Sequence, residues 1–124
     1  MGWHGLSDAE YDLMQLFWQD GAEDTYTLNE VIAFMETKGH VWKQQTAHTV
    51  LTKLIGKGVL QSKKIGFRKF YSIKLTQQEY LSQWTKGMIQ QDYGGSLTNF
   101  LVAFTGGKAL TEEEAKELHD FLDQ

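Results

Sequence analysis

The sequence predicts a mainly α-helical protein with one small β-hairpin. Three observations carry this prediction: a repeated helix-start signal, apolar residues at helical spacing after each signal, and two strand-like runs in mid-chain. The start signal is a hydroxyl residue followed three positions later by Glu, a capping box in which each side chain accepts a backbone N–H bond. It occurs at Ser7 with Glu10, Thr27 with Glu30, Thr76 with Glu79, and Thr111 with Glu114.

The first three predicted helices precede the strands. The first runs from about Asp8 to Gln19, and the second runs from about Leu28 to Lys38 before a glycine ends it. After a short turn, the third helix continues to Gly58. Its apolar residues recur at the spacing of one buried helix face. They are Ala47, Val50, Leu51, Leu54 and Ile55.

Two runs rich in aromatic and β-branched residues follow, from Val59 to Lys64 and from Arg68 to Ile73, with a turn at Gly66 between them. They predict a β-hairpin. Helix, helix, tight turn, helix and hairpin is the order of a winged helix-turn-helix domain. In that domain the third helix enters the DNA major groove and the hairpin, or wing, contacts the flanking backbone or minor groove. We assign residues 1–74 to this domain.

Residues 75–124 predict three more helices, Thr76 to Tyr93, Ser96 to Phe104 and Thr111 to Asp123, separated by glycine pairs. Their apolar stripes offer more surface than about 50 residues can hide internally, so we predict that this region pairs with a second copy of itself. The dimer-forming residues we predict are Tyr80, Leu81, Trp84, Met88, Leu97, Phe100, Leu101, Phe104, Leu118, Phe121 and Leu122.

The charge is segregated along the chain. The net charge is −4, yet the segment from Lys38 to Lys74 contains nine basic residues and no Asp or Glu, while the flanking segments sum to −8 and −5. Clustered Lys and Arg neutralise phosphates when a protein binds nucleic acid. The middle third of the chain therefore predicts a polyanionic partner, and the domain order indicates double-stranded DNA.

Position on the third helix separates the predicted contacts. Residues near its start reach deepest into the groove and are predicted to contact bases: Gln44, Gln45, Thr46, His48 and Thr49. Residues at its edge and end are predicted to contact phosphates: Lys43, Thr52, Lys53 and Lys57. Four wing residues are predicted to contact phosphates or the minor groove: Lys63, Lys64, Arg68 and Lys69.

Other function classes have little support in the sequence. There is no cysteine, no Gly-rich phosphate loop after a strand and no nucleophile elbow, so we predict neither an enzyme nor a metal or cofactor site. No apolar run approaches the roughly 18 residues of a membrane span, and we expect a cytoplasmic protein. A second interpretation stays open, in which the winged helix is a protein-interaction module whose basic face binds an acidic protein partner.

The sequence resembles the penicillinase-repressor (BlaI/MecI/CopY) family of bacterial winged-helix repressors over nearly the whole chain. The motifs that carry the resemblance are LSDAEYDLM from Leu6 followed by Trp18, the run from Trp42 through Thr46, Thr49-Val50-Leu51 and Leu54 to Lys57-Gly58, then Glu79-Tyr80, and Gly94-Gly95-Ser96-Leu97. The resemblance implies a homodimeric transcriptional repressor that binds a palindromic operator, with the C-terminal helices forming the dimer.

The resemblance also implies a means of induction. Antibiotic-responsive members are cleaved by a signalling protease at an Asn-Phe bond in the dimerisation region, and Asn99-Phe100 occupies the comparable place here. The copper-responsive members carry a C-terminal cysteine cluster, and a chain without cysteine excludes that mode of metal sensing. The wing also departs from the family pattern, because Phe67 stands between the turn glycine and Arg68.

Overall fold

The fold is known from a computed structural model, which describes residues 2–107, 109 and 111–122; the side chains of Phe121 and Leu122 lie outside the described part. The elements are α1 (Asp8–Trp18), α2 (Leu28–Thr37), α3 (Gln44–Gly56), β1 (Leu60–Ile65), β2 (Arg68–Ile73), α4 (Gln77–Asp92), α5 (Leu97–Thr105) and α6 (Glu112–Leu122). The predicted mainly α-helical fold with one hairpin is confirmed. None of the described helices combines the length and the apolar composition needed to cross a lipid bilayer.

All four predicted capping boxes form. At α1, the Ser7 N–H group donates to Glu10 Oε1 at 2.7 Å, and the Glu10 N–H group donates to Ser7 Oγ at 3.1 Å. The same reciprocal pair of bonds begins α2, α4 and α6 at Thr27, Thr76 and Thr111. These bonds satisfy N–H groups that have no partner inside the helix, which is why these four helices begin close to where the sequence predicts.

The chain forms two compact units, residues 1–84 and residues 85–124. We call them the first and the second unit. Helix α4 begins in the first unit and ends in the second, and the predicted functional division between residues 74 and 75 stays a prediction. In the first unit, α1, α2, α3 and the hairpin surround one apolar core. Its fully buried members include Leu13, Met14, Val31, Met35, Leu51, Leu54, Leu60 and Tyr71.

The hairpin is antiparallel and pairs Leu60 with Ile73 at its base and Ile65 with Arg68 at its tip. Directly opposed residues share a face, so the buried Leu60 and Tyr71 anchor one face of the hairpin to the core. A backbone bridge between Tyr26 and Tyr71 ties the same strand to the loop before α2, with N–H···O distances of 2.8 and 2.9 Å. The distal half of the hairpin therefore extends from a firmly held base.

Candidate nucleic-acid interface

Helix α3 buries one side and exposes the other, as its sequence predicts. Ala47, Leu51 and Leu54 are fully buried, and Val50 and Ile55 pack partly against the core. The opposite side is exposed along its whole length. It presents every residue predicted for DNA contact on this helix: Gln44, Gln45, Thr46, His48, Thr49, Thr52 and Lys53. The apolar stripe thus fixes which polar side chains α3 offers to a partner.

Two threonines on this exposed side already use their hydroxyl protons. Thr49 Oγ1 donates to the Gln45 carbonyl at 2.9 Å, and Thr52 Oγ1 donates to the His48 carbonyl at 2.8 Å. Each hydroxyl oxygen keeps its capacity to accept, and each methyl group keeps its apolar surface. Thr49 therefore suits the donor groups of adenine or cytosine and the methyl group of thymine better than an acceptor on a base. Thr52 has no hydroxyl proton left in this conformation to donate to the phosphate predicted for it.

A groove of about 380 Å³ lies between the start of α2, the exposed side of α3 and strand β2. Its lining includes Gln44 and His48 from α3 and Arg68 and Lys69 from the wing, so residues predicted separately for helix and wing face one concavity. Asn29 also lines it, and Gln44 Nε2 donates to Asn29 Oδ1 at 3.4 Å. Sequence reasoning missed Asn29, because a neutral amide on another helix adds nothing to the charge pattern.

The wing is basic on both of its faces. Lys63, Lys64, Arg68 and Lys69 are all exposed, and Lys64 lies directly opposite Lys69 across the ladder. Directly opposed like charges destabilise a hairpin in water, and a bound phosphate would relieve that repulsion. The Lys69 ammonium lies 5.5 Å from the centre of the Tyr71 ring, a cation–π contact that holds the side chain beside the groove.

Lys57 makes a contact other than the phosphate contact predicted for it. It follows the last residue of α3, and its Nζ donates to Glu10 Oε1 at 2.7 Å and to the Gly5 carbonyl at 2.9 Å. An ammonium held in this way joins the end of α3 to the start of α1, which does not fit the predicted phosphate contact. The sequence held no signal for this, because Glu10 lies 47 residues away.

The Glu10 carboxylate is buried, with 4% of the residue exposed. Burial raises the pKa of Glu10, but the hydrogen bond and charge of Lys57 and the hydrogen bonds of Ser7 outweigh it and leave the pKa below its ordinary value. Glu10 Oε2 is buried without a hydrogen-bond partner in the described part of the chain. The stability of this buried charge therefore depends on the bonds to Oε1.

A histidine lies at the turn before α3. His40 Nε2 lies 2.9 Å from Asp12 Oδ2, which links the turn before α3 to α1. Within the described residues, no three His, Cys, Asp or Glu side chains come together as metal ligands. His48, the histidine predicted to contact DNA, lines the groove.

Comparison with known proteins identifies the family to which this protein belongs. The sequence profile described as penicillinase repressor matches residues 6–124. The chain belongs to the penicillinase repressor family. This is a family of transcriptional repressors, and the predicted resemblance is confirmed.

Individual members of the penicillinase repressor family align with almost the full chain. The penicillinase repressor of Bacillus licheniformis is 29% identical over 119 residues, which cover 96% of this chain and 90% of that protein. The penicillinase repressor of Staphylococcus aureus is 25% identical over 118 residues, covering 95% and 90%. The methicillin resistance regulatory protein MecI of Staphylococcus aureus strain N315 is 23% identical over 120 residues, covering 96% and 94%.

In this member of the penicillinase repressor family, the residues predicted for the dimer differ in exposure. Tyr80 is buried, whereas Leu97 and Phe104 are exposed at 44% and 62%. The half-buried members are Leu81, Trp84, Met88, Phe100, Leu101 and Leu118. The predictions for Phe121 and Leu122 fall on side chains outside the described part. Tyr80 also donates its hydroxyl to the His4 carbonyl at 2.7 Å, so this member of the set makes a contact inside the first unit.

The predicted cleavage bond lies in the first turn of α5. The Asn99 side chain is exposed, and its N–H group donates to Ser96 Oγ at 3.1 Å. The Phe100 ring lies edge-on to Tyr93 at 5.6 Å between centroids and stacks near Phe104 at 6.3 Å. The bond is thus part of regular helix, flanked by an accessible residue and a packed one.

Proposed function

We propose that this chain is a sequence-specific DNA-binding repressor that acts as a homodimer on a palindromic operator. The observation that carries the proposal is the groove that the exposed side of α3 lines together with the basic wing, and among the described residues that line it there is no Asp or Glu. In this arrangement α3 enters the major groove and the wing meets the adjacent backbone. Gln44, Gln45 and Thr46, at the start of α3, reach bases, and Lys53 reaches phosphate.

The proposed division between reading and positioning follows from side-chain chemistry. Glutamine can pair with adenine through two hydrogen bonds, whereas lysine on the helix edge acts as a point charge toward any phosphate. Lys57 is left out of the proposed contact set because its ammonium is bound to Glu10 and Gly5. The proposed DNA-contacting set is therefore Lys43, Gln44, Gln45, Thr46, His48, Thr49, Thr52, Lys53, Lys63, Lys64, Arg68 and Lys69.

The repressor role is supported by the names of the relatives, two of which are penicillinase repressors and one a methicillin resistance regulatory protein. The dimer is supported by the second unit, where α5 exposes Leu97, Val102 and Phe104. Such a surface is unfavourable in water until another apolar surface covers it. A second copy of the chain is the proposed cover, and two copies of α3 would read two half-sites.

Derepression by a signalling protease at Asn99-Phe100 belongs to the same proposal. Cleavage there would separate the first turn of α5 from the rest of the helix and so remove part of the proposed dimer surface. In the native host, Asn99→Ala should abolish both the cleavage fragments and induction, whereas Thr98→Ala, an exposed neighbour on the same turn, should leave both intact. Normal induction and an unchanged band pattern in Asn99→Ala would rule the cleavage out.

The central experiment is selection of bound sequences from random DNA, followed by filter binding at several salt concentrations. We expect a consensus with two inverted half-sites and a log–log salt slope of several negative units, since each neutralised phosphate adds about −0.9 to the slope. If no sequence is enriched and the protein instead captures acidic proteins, the winged helix is a protein-interaction module and the proposal is wrong.

A further inference from the structure

The tip of the wing carries an exposed aromatic residue. Phe67 is fully exposed and its neighbour Ile65 is 59% exposed, while every other residue of the distal hairpin from Lys63 to Lys69 apart from Gly66 is basic. A single exposed apolar residue is ordinary on a protein surface. Here, however, the exposed phenylalanine lies at the end of a hairpin whose lysines and arginine attract polyanions. The same charges that attract such a partner would bring the apolar ring to its surface.

A two-residue turn places Phe67 at the tip of the wing. The ladder continues to the pair Ile65 and Arg68, so only Gly66 and Phe67 form the loop. Gly66 has a φ of +64° and Phe67 a negative φ, the pattern of a type II′ turn with glycine at its first position. A two-residue loop of this type matches the right-handed twist of the strands that it joins. Phe67 is therefore held beyond the last cross-strand pair, at the point of the wing farthest from the core.

The chemistry around the tip selects the partner. Lys64 and Arg68 flank the turn, and no acid occurs between residues 38 and 74. A partner for this tip must offer anionic groups at its surface and apolar faces behind them, as a DNA duplex does with phosphates and stacked bases. The wing also shares a groove with Gln44 and His48 of α3, which directs its tip along the duplex that α3 would read.

We infer that Phe67 is a wedge that enters the minor groove beside each half-site, partly unstacks one base step and bends the duplex there. This inference rests on the proposed function. Apolar side chains that enter the minor groove unstack and kink DNA in this way, and the flanking cations neutralise the phosphates that crowd the bend. Phe67 would then read the deformability of the flanking step, so specificity would extend beyond the bases that α3 contacts.

The test uses the consensus duplex that the wild-type protein selects from random DNA. The fluorescent base 2-aminopurine, which brightens when unstacked, replaces one flanking adenine at a time. With the wild-type protein at saturation we expect brightening at one step in each flank, and we expect Phe67→Ala to lose it. Affinity should fall about 5-fold or more, as expected for one aromatic–base stack. Lys63→Ala, on the same hairpin, should weaken binding but keep the brightening once the duplex is saturated.

Two results overturn the inference and leave DNA recognition standing: no flanking position brightens, or brightening survives in Phe67→Ala. If the wild-type protein enriches no sequence, DNA recognition and the wedge both fail. In that case, sedimentation with vesicles that contain anionic phosphatidylglycerol tests whether the tip of the wing binds a membrane surface. Vesicle binding that is lost in Phe67→Ala would reassign the tip to a membrane surface, which also overturns the wedge.

Discussion

Two lysines near the end of α3 have different contacts, although the sequence predicts the same role for both. Lys53 and Lys57 are four residues apart, a spacing that puts side chains on one side of a continuous helix. Lys57 is the C-cap residue of α3, and its ammonium is bound to the Gly5 carbonyl and the Glu10 carboxylate, which the fold places beside the end of the helix. Lys53 stays inside the helix and exposed. Lys53 therefore stays in the proposed DNA-contacting set, whereas the Lys57 ammonium is bound within the first unit.

The exposed side of α3 predicts two different mutational effects on DNA binding. Thr46→Ala should cost about 1–3 kcal/mol on the operator and relax preference at one base position, because it removes a base contact. Lys53→Ala should weaken operator and random DNA alike and reduce the salt slope by about 1, because it removes a phosphate contact. Equal losses by both variants on both DNAs, measured by filter binding, would contradict this division.

The contact between Lys57 and Glu10 predicts a loss of stability. Lys57→Met should lower the free energy of unfolding by about 1–3 kcal/mol, since it leaves a buried carboxylate without its ammonium partner. The loss should stay below that of a fully buried pair because 39% of the Lys57 side chain is exposed. Urea unfolding measures it. In Glu10→Gln, the same lysine change should cost much less, and an equal cost in both backgrounds would mean that the two groups are not coupled.

Glu10 also predicts how stability depends on pH. Its pKa is lowered in the folded protein, so the unfolded chain takes up the proton first as the pH falls. The stabilising contribution is complete above the ordinary value of 4.5 and is lost as the pH falls below it toward the folded pKa. The stability difference between wild type and Glu10→Gln should therefore shrink as the pH falls through 4.5 and below it, and it should be constant at neutral pH. Hydrogen bonds with Thr76 also lower the pKa of Glu79. Because Glu79 is present in both proteins, its contribution to the pH dependence cancels in the difference.

At the scale of elements, α3 differs from α1 and α2 at its start. Those helices begin with a hydroxyl residue in a capping box, whereas α3 begins with Lys43, whose side chain makes no capping hydrogen bond. A cap would stabilise the helix, but it would place an oxygen acceptor where the first-turn N–H groups and a lysine face the proposed phosphate. The weaker start is consistent with a helix that is exposed for binding.

A capping substitution at this position predicts opposite effects on stability and binding. Lys43→Ser should raise the free energy of unfolding by about 0.5–2 kcal/mol, because serine accepts a hydrogen bond from the first turn of α3. DNA affinity should fall, because a phosphate-contacting cation is removed. Lys43→Ala is the matched control, since it loses the charge without adding a cap. If serine and alanine give equal stability, α3 does not gain from a cap.

At the scale of the whole molecule, charge and apolar surface are assigned to different units. The basic residues from 38 to 74 lie in the first unit, and α5 in the second exposes Leu97, Val102 and Phe104. A molecule organised in this way can bind DNA with one part and a second copy of itself with the other. The acidic flanks keep the net charge modest and limit nonspecific attraction to polyanions.

This organisation predicts a dimer that one substitution separates. Light scattering at micromolar concentration should give about twice the chain mass of 14.2 kDa for the wild type. Val102→Asp should give a monomer, because it places a charge in an apolar interface. Thr98→Asp, exposed on the same helix, should leave the dimer intact, and circular dichroism should show equal helix content in both. A monomeric wild type would remove the basis for a palindromic operator.

The order of the elements could be predicted from the sequence because the signals are local. A capping box acts within one helical turn, and all four of them formed where Ser7, Thr27, Thr76 and Thr111 indicated. The exposed side of α3 could also be predicted, because apolar residues at helical spacing mark the buried side and the polar residues must then lie on the opposite one. These features depend on neighbours within four positions along the chain.

The contacts that complete the candidate site depend on residues that are far apart in the sequence. Folding brings Lys57 to Glu10 across 47 positions, His40 to Asp12 across 28, and Gln44 to Asn29 across 15. Residue type and spacing hold no signal for such pairs, because each depends on how the helices pack. The sequence alone determined where helices begin and which side of α3 is exposed. Only the tertiary structure decided which lysine faces outward, since a side chain's partner is set by what the fold places beside it.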